Sequence, residues 1–335
     1  MTDYPLVSII RGVYNEEEYL CESIESILSQ TYENVEFIIV DDASDDGSID
    51  IIESFDDPRI VEIKNDENRG LTQSLNRALE RANGEFIARQ DADDISESDR
   101  LERQVQFLRR YDDVAVVGTG AYLIDGEGTT IDKRVPECNP TFEDFMDKGH
   151  LIHGSIMARR SILEQVNGYN DFFRYGQDQE LWLRLAKEHS IANIPDPLYR
   201  HRIHDEGVYF SRKDESAMYG KLARDLVTGR AESDVLEKLE RDGVLSYYDR
   251  LSPERRAAFH RDLATRYLRY GHTEPALEEC RKAREYEPYA FQTLVLSTLA
   301  RLGPSATDTV RWAMRRYLNA KTRIRNRLAC PYEFD

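Results

Sequence analysis

The sequence has no long hydrophobic run. Its longest unbroken apolar stretches, such as Phe37-Ile38-Ile39-Val40 and Val114-Ala115-Val116-Val117, are four residues long, whereas a helix that crosses a bilayer takes about 20. No membrane-crossing segment is expected. The N-terminus, MTDYPLVSII, enters a strand pattern without a charged leader or a long apolar core, so no secretory signal is expected and the cytoplasm is the predicted compartment. Cysteine is scarce. Cys21, Cys138, Cys280 and Cys330 lie far apart, in neither a CxxC pair nor a Cys/His zinc spacing, and read as reduced thiols with no structural role. Lysine is scarcer than its charge class suggests, with nine Lys among 45 basic residues. Those 45 face 63 acidic residues, for a net charge of -18. Binding nucleic acid through its phosphates needs a basic surface that releases counterions, and that function is excluded. Many carboxylates with little lysine suit a protein kept soluble in concentrated salt, so a halophilic origin is expected over an ordinary acidic cytosolic protein. No GxGxxG follows the first strand pattern, which argues against NAD-linked redox chemistry.

What is present is a folded chain. With 335 residues, 40% hydrophobic and 10% aromatic, it can bury one large core with an appendage, or two cores. Strand and helix patterns alternate over the first two hundred residues. Leu6 to Ile10, Val35 to Val40, Ile60 to Ile63, Phe86 to Ala88 and Val114 to Val117 read as strands. Between them, Leu20, Ile24, Ile27 and Leu28, then Leu71, Leu75, Ala78, Leu79 and Ala82, then Leu101, Val105 and Leu108 repeat at helical spacing, with a short helix around Ile51, Ile52 and Phe55. Such repeats predict an α/β fold, a mostly parallel sheet flanked by helices on both faces. Ligands of such sheets bind beyond the carboxyl ends of the strands. From about Ser211 strand signals stop. The division expected is 1–215 as the α/β domain and 216–335 as a C-terminal all-α appendage. Within 261–289, Ala264, Tyr267, Gly271, Ala276, Ala283 and Pro288 fall at the offsets of a tetratricopeptide-type helix pair. Over 305–328, Val310, Met314, Tyr317, Ile324 and Leu328 share one face of a basic amphipathic helix, which reads either as a contact with a membrane surface or as a helix packed on an acidic neighbour.

The loops after the second and fourth strands are packed with aspartate. Asp42 to Glu53 fits the twelve-residue calcium loop of an EF-hand at its ligand positions, but that loop follows a helix, and here an apolar strand precedes it. Asp91-Ala92-Asp93-Asp94 sets three carboxylates in four residues. They repel one another unless a cation sits among them, and their oxygens suit Mg2+ or Mn2+. Mg2+ is typically held by one or two carboxylates plus substrate phosphates, so the loop points to a nucleoside diphosphate. A solvated acidic turn is the alternative. Position at the end of a central strand favours the ligand.

An ordered set of motifs makes the reading specific: Val7-Ser-Ile-Ile with Tyr14-Asn15-Glu16, Asp41-Asp42-Ala-Ser44, Asn68-Arg69-Gly70, Gly84-Glu-Phe-Ile-Ala, Asp91-Ala-Asp93-Asp94, Arg100-Leu101, His153-Gly-Ser155, Gly168-Tyr169 and Gln177-Asp178-Gln-Glu-Leu181-Trp182. Over residues 4 to 205 the chain resembles a family 2 glycosyltransferase, whose fold is GT-A, a Rossmann-like arrangement for nucleotide-diphospho-sugar transferases. The resemblance implies that Asp42 accepts a hydrogen bond from the donor's base beside Tyr14, that Arg69 lies near the diphosphate, and that Asp91 and Asp93 are the DxD motif. Asp93 is then the more direct metal ligand, and Asp178 the catalytic base. His201 or His204 offers a further metal or phosphate contact, or is an ordinary surface histidine. Gly12 stands where the family usually has Pro, which leaves the preferred nucleotide open.

The chemistry requires these residue types. Displacing a nucleoside diphosphate builds negative charge on phosphate, which a divalent cation neutralises, and the acceptor hydroxyl must lose a proton to a placed carboxylate. The sequence therefore predicts an inverting, metal-dependent transfer of a sugar from a nucleoside-diphosphate sugar to a hydroxyl, with a lipid-linked saccharide at the inner face of the cell membrane as acceptor, as in surface-glycan or glycoprotein assembly. A nucleotidyltransferase that makes sugar nucleotides, and a non-catalytic module binding calcium or a sugar nucleotide, stand as alternatives.

Overall fold

A computed structural model describes all residues except 1–3, 148–150, 204–211, 233, 270, 304–308, 310–319 and 335. The chain divides into two compact units, one of residues 1–205 with 322–335, the other of 206–321.

The first unit is built on a nine-stranded sheet. In chain order its elements are β1 (Val7–Val13), α1 (Leu20–Leu28), β2 (Val35–Asp41), α2 (Ser48–Glu53), β3 (Ile60–Lys64), α3 (Leu71–Arg81), β4 (Phe86–Arg89), β5 (Ile95–Ser96) and α4 (Arg100–Arg110). They continue with β6 (Val114–Ile124), β7 (Thr130–Arg134), α5 (Phe142–Asp147), a single 3-10 turn at His153–Ser155, β8 (Met157–Arg159), α6 (Arg160–Gln165), α7 (Gln177–Ala186) and β9 (Ser190–Arg202). The strand order is β3-β2-β1-β4-β8-β6-β9-β5, with β7 paired to β6. The β3-β2-β1-β4 half is parallel, as the alternation of apolar strands and amphipathic helices predicts. Past β4 the sheet becomes mixed: β8 runs antiparallel to both β4 and β6, and β5 antiparallel to β9. The strand read at Val114 to Val117 extends to Ile124, a length hidden in the sequence because Gly118, Thr119 and Gly120 interrupt its apolar run.

Val7, Ile9, Phe37, Ile39, Phe86 and Ala88 are fully buried, together with Leu20, Ile24 and Ile27 of α1 and Leu101 and Leu108 of α4. Each buried aliphatic side chain contributes about 1.5–3 kcal/mol. This core fixes the carboxyl ends of β1, β2 and β4 side by side. The loops that leave those ends carry Tyr14, Asp42 and Asp91.

The C-terminal stretch departs from the expected division, since 322–335 belongs to the first unit rather than to the helical appendage. Its anchors are specific. Arg325 reaches Glu137 at 2.6 Å and Asp144 at 2.8 Å, and holds the Asp144 carboxyl well below the usual carboxylate range. Asn326 accepts from Cys138 N and donates to Pro136 O, each at 2.9 Å. The rings of Tyr332 and Phe334 pack on Phe107, with centroids 5.2 and 5.7 Å away. Cys138 and Cys330 are joined as a disulfide, which corrects the expectation of four idle thiols. Residues 192 apart gave no spacing signal. The pairing exists because the tail folds back. Of the basic amphipathic helix expected over 305–328, residues 320–329 are helical with Ile324 and Leu328 exposed, while Val310, Met314 and Tyr317 lie outside the described residues.

In the second unit the described elements are helical: α8 (Lys213–Val227), α9 (Val235–Asp242), α10 (Pro253–Arg269), α11 (Thr273–Tyr286) and α12 (Phe291–Arg301). Ala264, Leu268, Ala276, Cys280 and Ala300 form a core cluster there, and of these Ala264 and Ala276 are positions of the tetratricopeptide-like spacing.

Thiol labelling of the denatured, unreduced protein should count two thiols, Cys21 and Cys280. After reduction the count should rise to four, and four thiols before reduction would remove the bond.

Candidate active site

The first loop of the site follows β2. Asp41 ends the strand and Asp42 follows it, both buried, and Asp42 is clamped. Its Oδ1 accepts from Asn65 Nδ2 at 2.5 Å and from the Arg69 backbone N–H at 2.9 Å, and its Oδ2 accepts from the Gly70 N–H at 2.7 Å. Asp42 therefore braces the turn that leads into α3, a use invisible in sequence because its donors lie 23 to 28 residues away. Gly70 takes a φ of +87° there, a conformation that favours glycine. Arg69 follows Asp42 through its backbone, and its side chain is exposed. Tyr14 is exposed on the neighbouring β1–α1 loop. The rest of the calcium-like run is dispersed: Asp46 caps the N–H groups of Glu17 and Ser48 at 3.1 and 2.9 Å, while Glu53 pairs with Lys64.

The second loop follows β4, and four arginines lie beneath or beside it. Arg89 is buried and sets Nη2 2.7 Å from Asp91 Oδ1. Arg11 at the end of β1 is buried, bonds Ser23 Oγ at 2.6 Å and the Asp91 carbonyl at 3.3 Å, and is drawn down to about 9 chiefly by its burial. Arg100, buried likewise, donates to the carbonyls of Arg89 and Gly154 at 3.1 and 3.3 Å. Arg202 donates to the Asp93 carbonyl at 2.9 Å. Burial opposes the charge on Asp91, but Arg89, His153, His201 and Arg11 outweigh it and hold its carboxyl below the usual range. Asp94 turns inward, its Oδ1 taking the Arg202 N–H at 2.7 Å and its Oδ2 lying 3.0 Å from His201 Nδ1. Burial pushes the Asp94 carboxyl up while His201 pulls it back. His201 thus props the loop from β9, and His204 lies outside the described residues.

The third piece is α7. Its N-terminus follows Gly176, which adopts a left-handed φ of +67°, so Asp178 sits in the first turn, where the helix dipole favours a carboxylate. The approach to α7 is tied to α3. Asn76 exchanges bonds with both backbone groups of Tyr169, at 2.8 and 2.9 Å, and Thr72 bonds the Phe173 carbonyl at 2.6 Å. Tyr169 OH lies 2.7 Å from His153 Nε2. The charges of Asp178 and Asp91 both act on that His153–Tyr169 pair, although Asp178 and Asp91 come from different loops. Burial and Arg89 draw His153 down to about 4, so the ring is neutral at pH 7. The structure thus brings Asp91, Asp93 and Asp178 to one region, with Asp42 braced alongside on the same edge of the sheet.

Among the described residues no group of three or more His, Cys, Asp or Glu side chains converges to hold a metal by itself. The donor set fits an ion of the Mg2+ class, which keeps waters and phosphates among its ligands. Beside this loop, burial, then Asp93, Asp91 and Asp46, push the Glu16 carboxyl up to about 7. The sequence motif contained Glu16, His153 and Tyr169 without assigning them roles. Arg89 was overlooked, although an arginine in an apolar strand next to an acidic loop is itself a sign of a buried partner.

Residues 8–166 match the family described as Glycosyl transferase family 2. The chain is 42% identical over 212 residues to EpsE of Bacillus subtilis (strain 168), which bears the name of a glycosyltransferase, covering 60% of this chain and 74% of that protein. It is 32% identical over 194 residues to the Escherichia coli protein WfgD, named as a UDP-Glc:alpha-D-GlcNAc-diphosphoundecaprenol beta-1,3-glucosyltransferase, covering 58% and 74%. Among solved structures, the mannosyltransferase PcManGT of Pyrobaculum calidifontis with GDP-Man and Mn2+ superposes with a TM-score of 0.54 at 18% identity, over 98% of this chain and 89% of that one. That likeness is one of fold, the GT-A fold.

The elevated Glu16 carboxyl gives a pH test. A carboxyl raised in the folded state makes stability fall as pH rises from about 4.5 through about 7. Without divalent ions, Glu16→Gln should melt higher than the parent at pH 8 and equal it at pH 4. Parallel melting curves at both pH values would rule out the charge conflict.

Proposed function

Because the chain belongs to the family 2 glycosyltransferases, we propose that it transfers a sugar from a nucleoside-diphosphate sugar to a hydroxyl acceptor by one inverting displacement dependent on a divalent cation. The observation that carries this reading is that the His153–Ser155 turn joins the two pieces: Gly154 packs against Asp91 Oδ2, and His153 lies 2.7 Å from Tyr169 OH and edge-on to Trp182 of α7, the helix whose first turn holds Asp178. A pyrophosphate against the Asp91–Asp93 loop then leaves its sugar facing Asp178. Asp93 and Asp91 are the residues that would hold a Mg2+ or Mn2+ ion, which would supply positive charge to the departing diphosphate. Asp178 takes the proton of the attacking hydroxyl, a general-base contribution of about 10²–10⁴-fold. The ion pair of Glu180 with Arg184, at 2.7 Å, and the Arg184 bonds to the Val166 and Gly168 carbonyls, at 2.6 and 2.7 Å, keep α7 in register beneath it.

Asp42 and Tyr14 are assigned to the donor's base and Arg69 to its diphosphate. With both Asp42 oxygens already accepting from the chain, a base contact there shares an oxygen, which the four lone-pair sites of a carboxylate allow. For the acceptor we favour a lipid-linked saccharide at the cytoplasmic membrane face. The support is WfgD's name, which specifies a diphosphoundecaprenol acceptor, together with exposed Ile324 and Leu328 among basic residues near the C-terminus. No helix among the described residues is long and apolar enough to cross a membrane.

Asp178→Asn should lower transfer by about 10²-fold or more while UDP or GDP still raises the melting temperature with Mn2+ present. Retention of parental turnover in the Asn variant would remove the base. Excess EDTA should stop acceptor-dependent release of nucleoside diphosphate, and Mn2+ should restore it. Full activity in EDTA would remove the cation.

A further inference from the structure

One helix of the second unit is apolar on its outward side. α12 turns Thr293, Ser297 and Ala300 inward, all buried, and Arg284 of α11 donates to Ser297 Oγ at 3.2 Å. Leu296 and Leu299 flank that side, partly buried against the core cluster. Phe291, Leu294 and Val295 point the other way, and Leu302 continues their row past the end of the helix. With exposed Thr298 they follow the spacing i, i+3, i+4, i+7 and i+11, which is one helix face. Phe291 is 75% exposed, Leu294 54% and Leu302 62%, and Tyr289, just before the helix, is 98% exposed. Small side chains thus face in and large apolar ones face out, the reverse of a helix whose only partner is its own core.

We propose that this face of α12 docks on the surface of an anionic lipid membrane. The choice of lipid rests on the reading of a lipid-linked acceptor, and charge and area support it. Residues 288–307 contain no carboxylate, in a chain with 63 acidic residues among 335 and a net charge of -18. Over 288–332, eight basic side chains stand against one acidic, Asp308. A chain this acidic is repelled by anionic headgroups, and a stretch without carboxylates is where it can approach them, by apolar burial and basic charge together. A second protein is the poorer fit. A helix of 11 residues is about 16 Å long, and one row of side chains falls short of the roughly 800 Å² per partner that a stable protein interface buries. A lipid surface demands no matching shape. Docked through α12, the chain stays at the layer where a lipid-linked saccharide presents its sugar.

The test is sedimentation of the full-length chain with phosphatidylcholine–phosphatidylglycerol vesicles at physiological ionic strength, without donor or acceptor. Phe291→Gln/Leu294→Gln/Leu302→Gln changes no charge, so any difference from the parent reads the apolar face. It should lower the vesicle partition coefficient by about tenfold or more, with the melting temperature of the parent. Thr298→Leu, which fills the polar gap in the row, should raise the coefficient by about threefold or more, and it carries the test if the triple variant does not fold. A parent that stays in the supernatant, or a partition that neither variant changes, would overturn the proposal. So would a dimer of the parent in sedimentation velocity that the triple variant loses while its vesicle binding is unchanged, since the occupant is then a second copy. A chain that docks yet gives no acceptor-dependent transfer supports the face and removes the proposed function, whereas one that transfers sugar without docking removes the face alone.

Discussion

The structure depends on setting buried guanidinium groups under an acidic rim. Carboxylates gathered at the ends of β1, β2 and β4 repel each other across a medium less polarisable than water, and a buried charge without a partner costs several kcal/mol. Arg11, Arg89 and Arg100 meet that cost from below, and each is fully or almost fully buried. They do so incompletely. Arg11 Nε and Nη1, Arg89 Nε and Arg100 Nε have no hydrogen-bond partner among the described residues, an expense of about 1–3 kcal/mol per group. Such groups persist where the charge matters more than the lost bonds. Glu16 shows the compensation to be partial, since its carboxyl stays protonated to about pH 7 beside Asp91 and Asp93.

The loops of the site are each fastened by a polar side chain. Asp42 is spent on the turn before α3, Asp94 on β9, and Asn76 on the approach to α7. Each loop of the site is thus fastened to a different element of the sheet or its helices by a polar side chain. Catalytic geometry of this kind relies on groups whose positions are set before the substrate arrives. The tail adds a fastening on the far end of the chain, with Arg325, Asn326 and the Cys138–Cys330 bond tied to the segment before and within α5.

Much of this was legible in the residues. The parallel half of the sheet, from β1 to β4, announces itself because strands covered on both faces must be apolar and their helices amphipathic. The acidic loops announce themselves because aspartates rarely crowd at a strand end without a reason. Less legible were Asp42, whose carboxylate braces residues 65 to 70, and the antiparallel strand β8, three residues long with only a weak pattern of its own. The disulfide was misread, for sequence distance carries no information about two segments brought together by folding.

By itself, then, the sequence determined the local terms: where the chain is strand or helix, where apolar faces lie, and which turns concentrate negative charge. Those follow from side-chain periodicity and from the backbone preferences of neighbouring residues. Only the tertiary structure decided which charges meet. Asp91 with Arg89, Asp94 with His201, His153 with Tyr169, and the C-terminal tail with α5 and Phe107 are contacts chosen by how the whole core packs. Coulomb and hydrogen-bond energies depend on distances through space, and order along the chain does not set those distances.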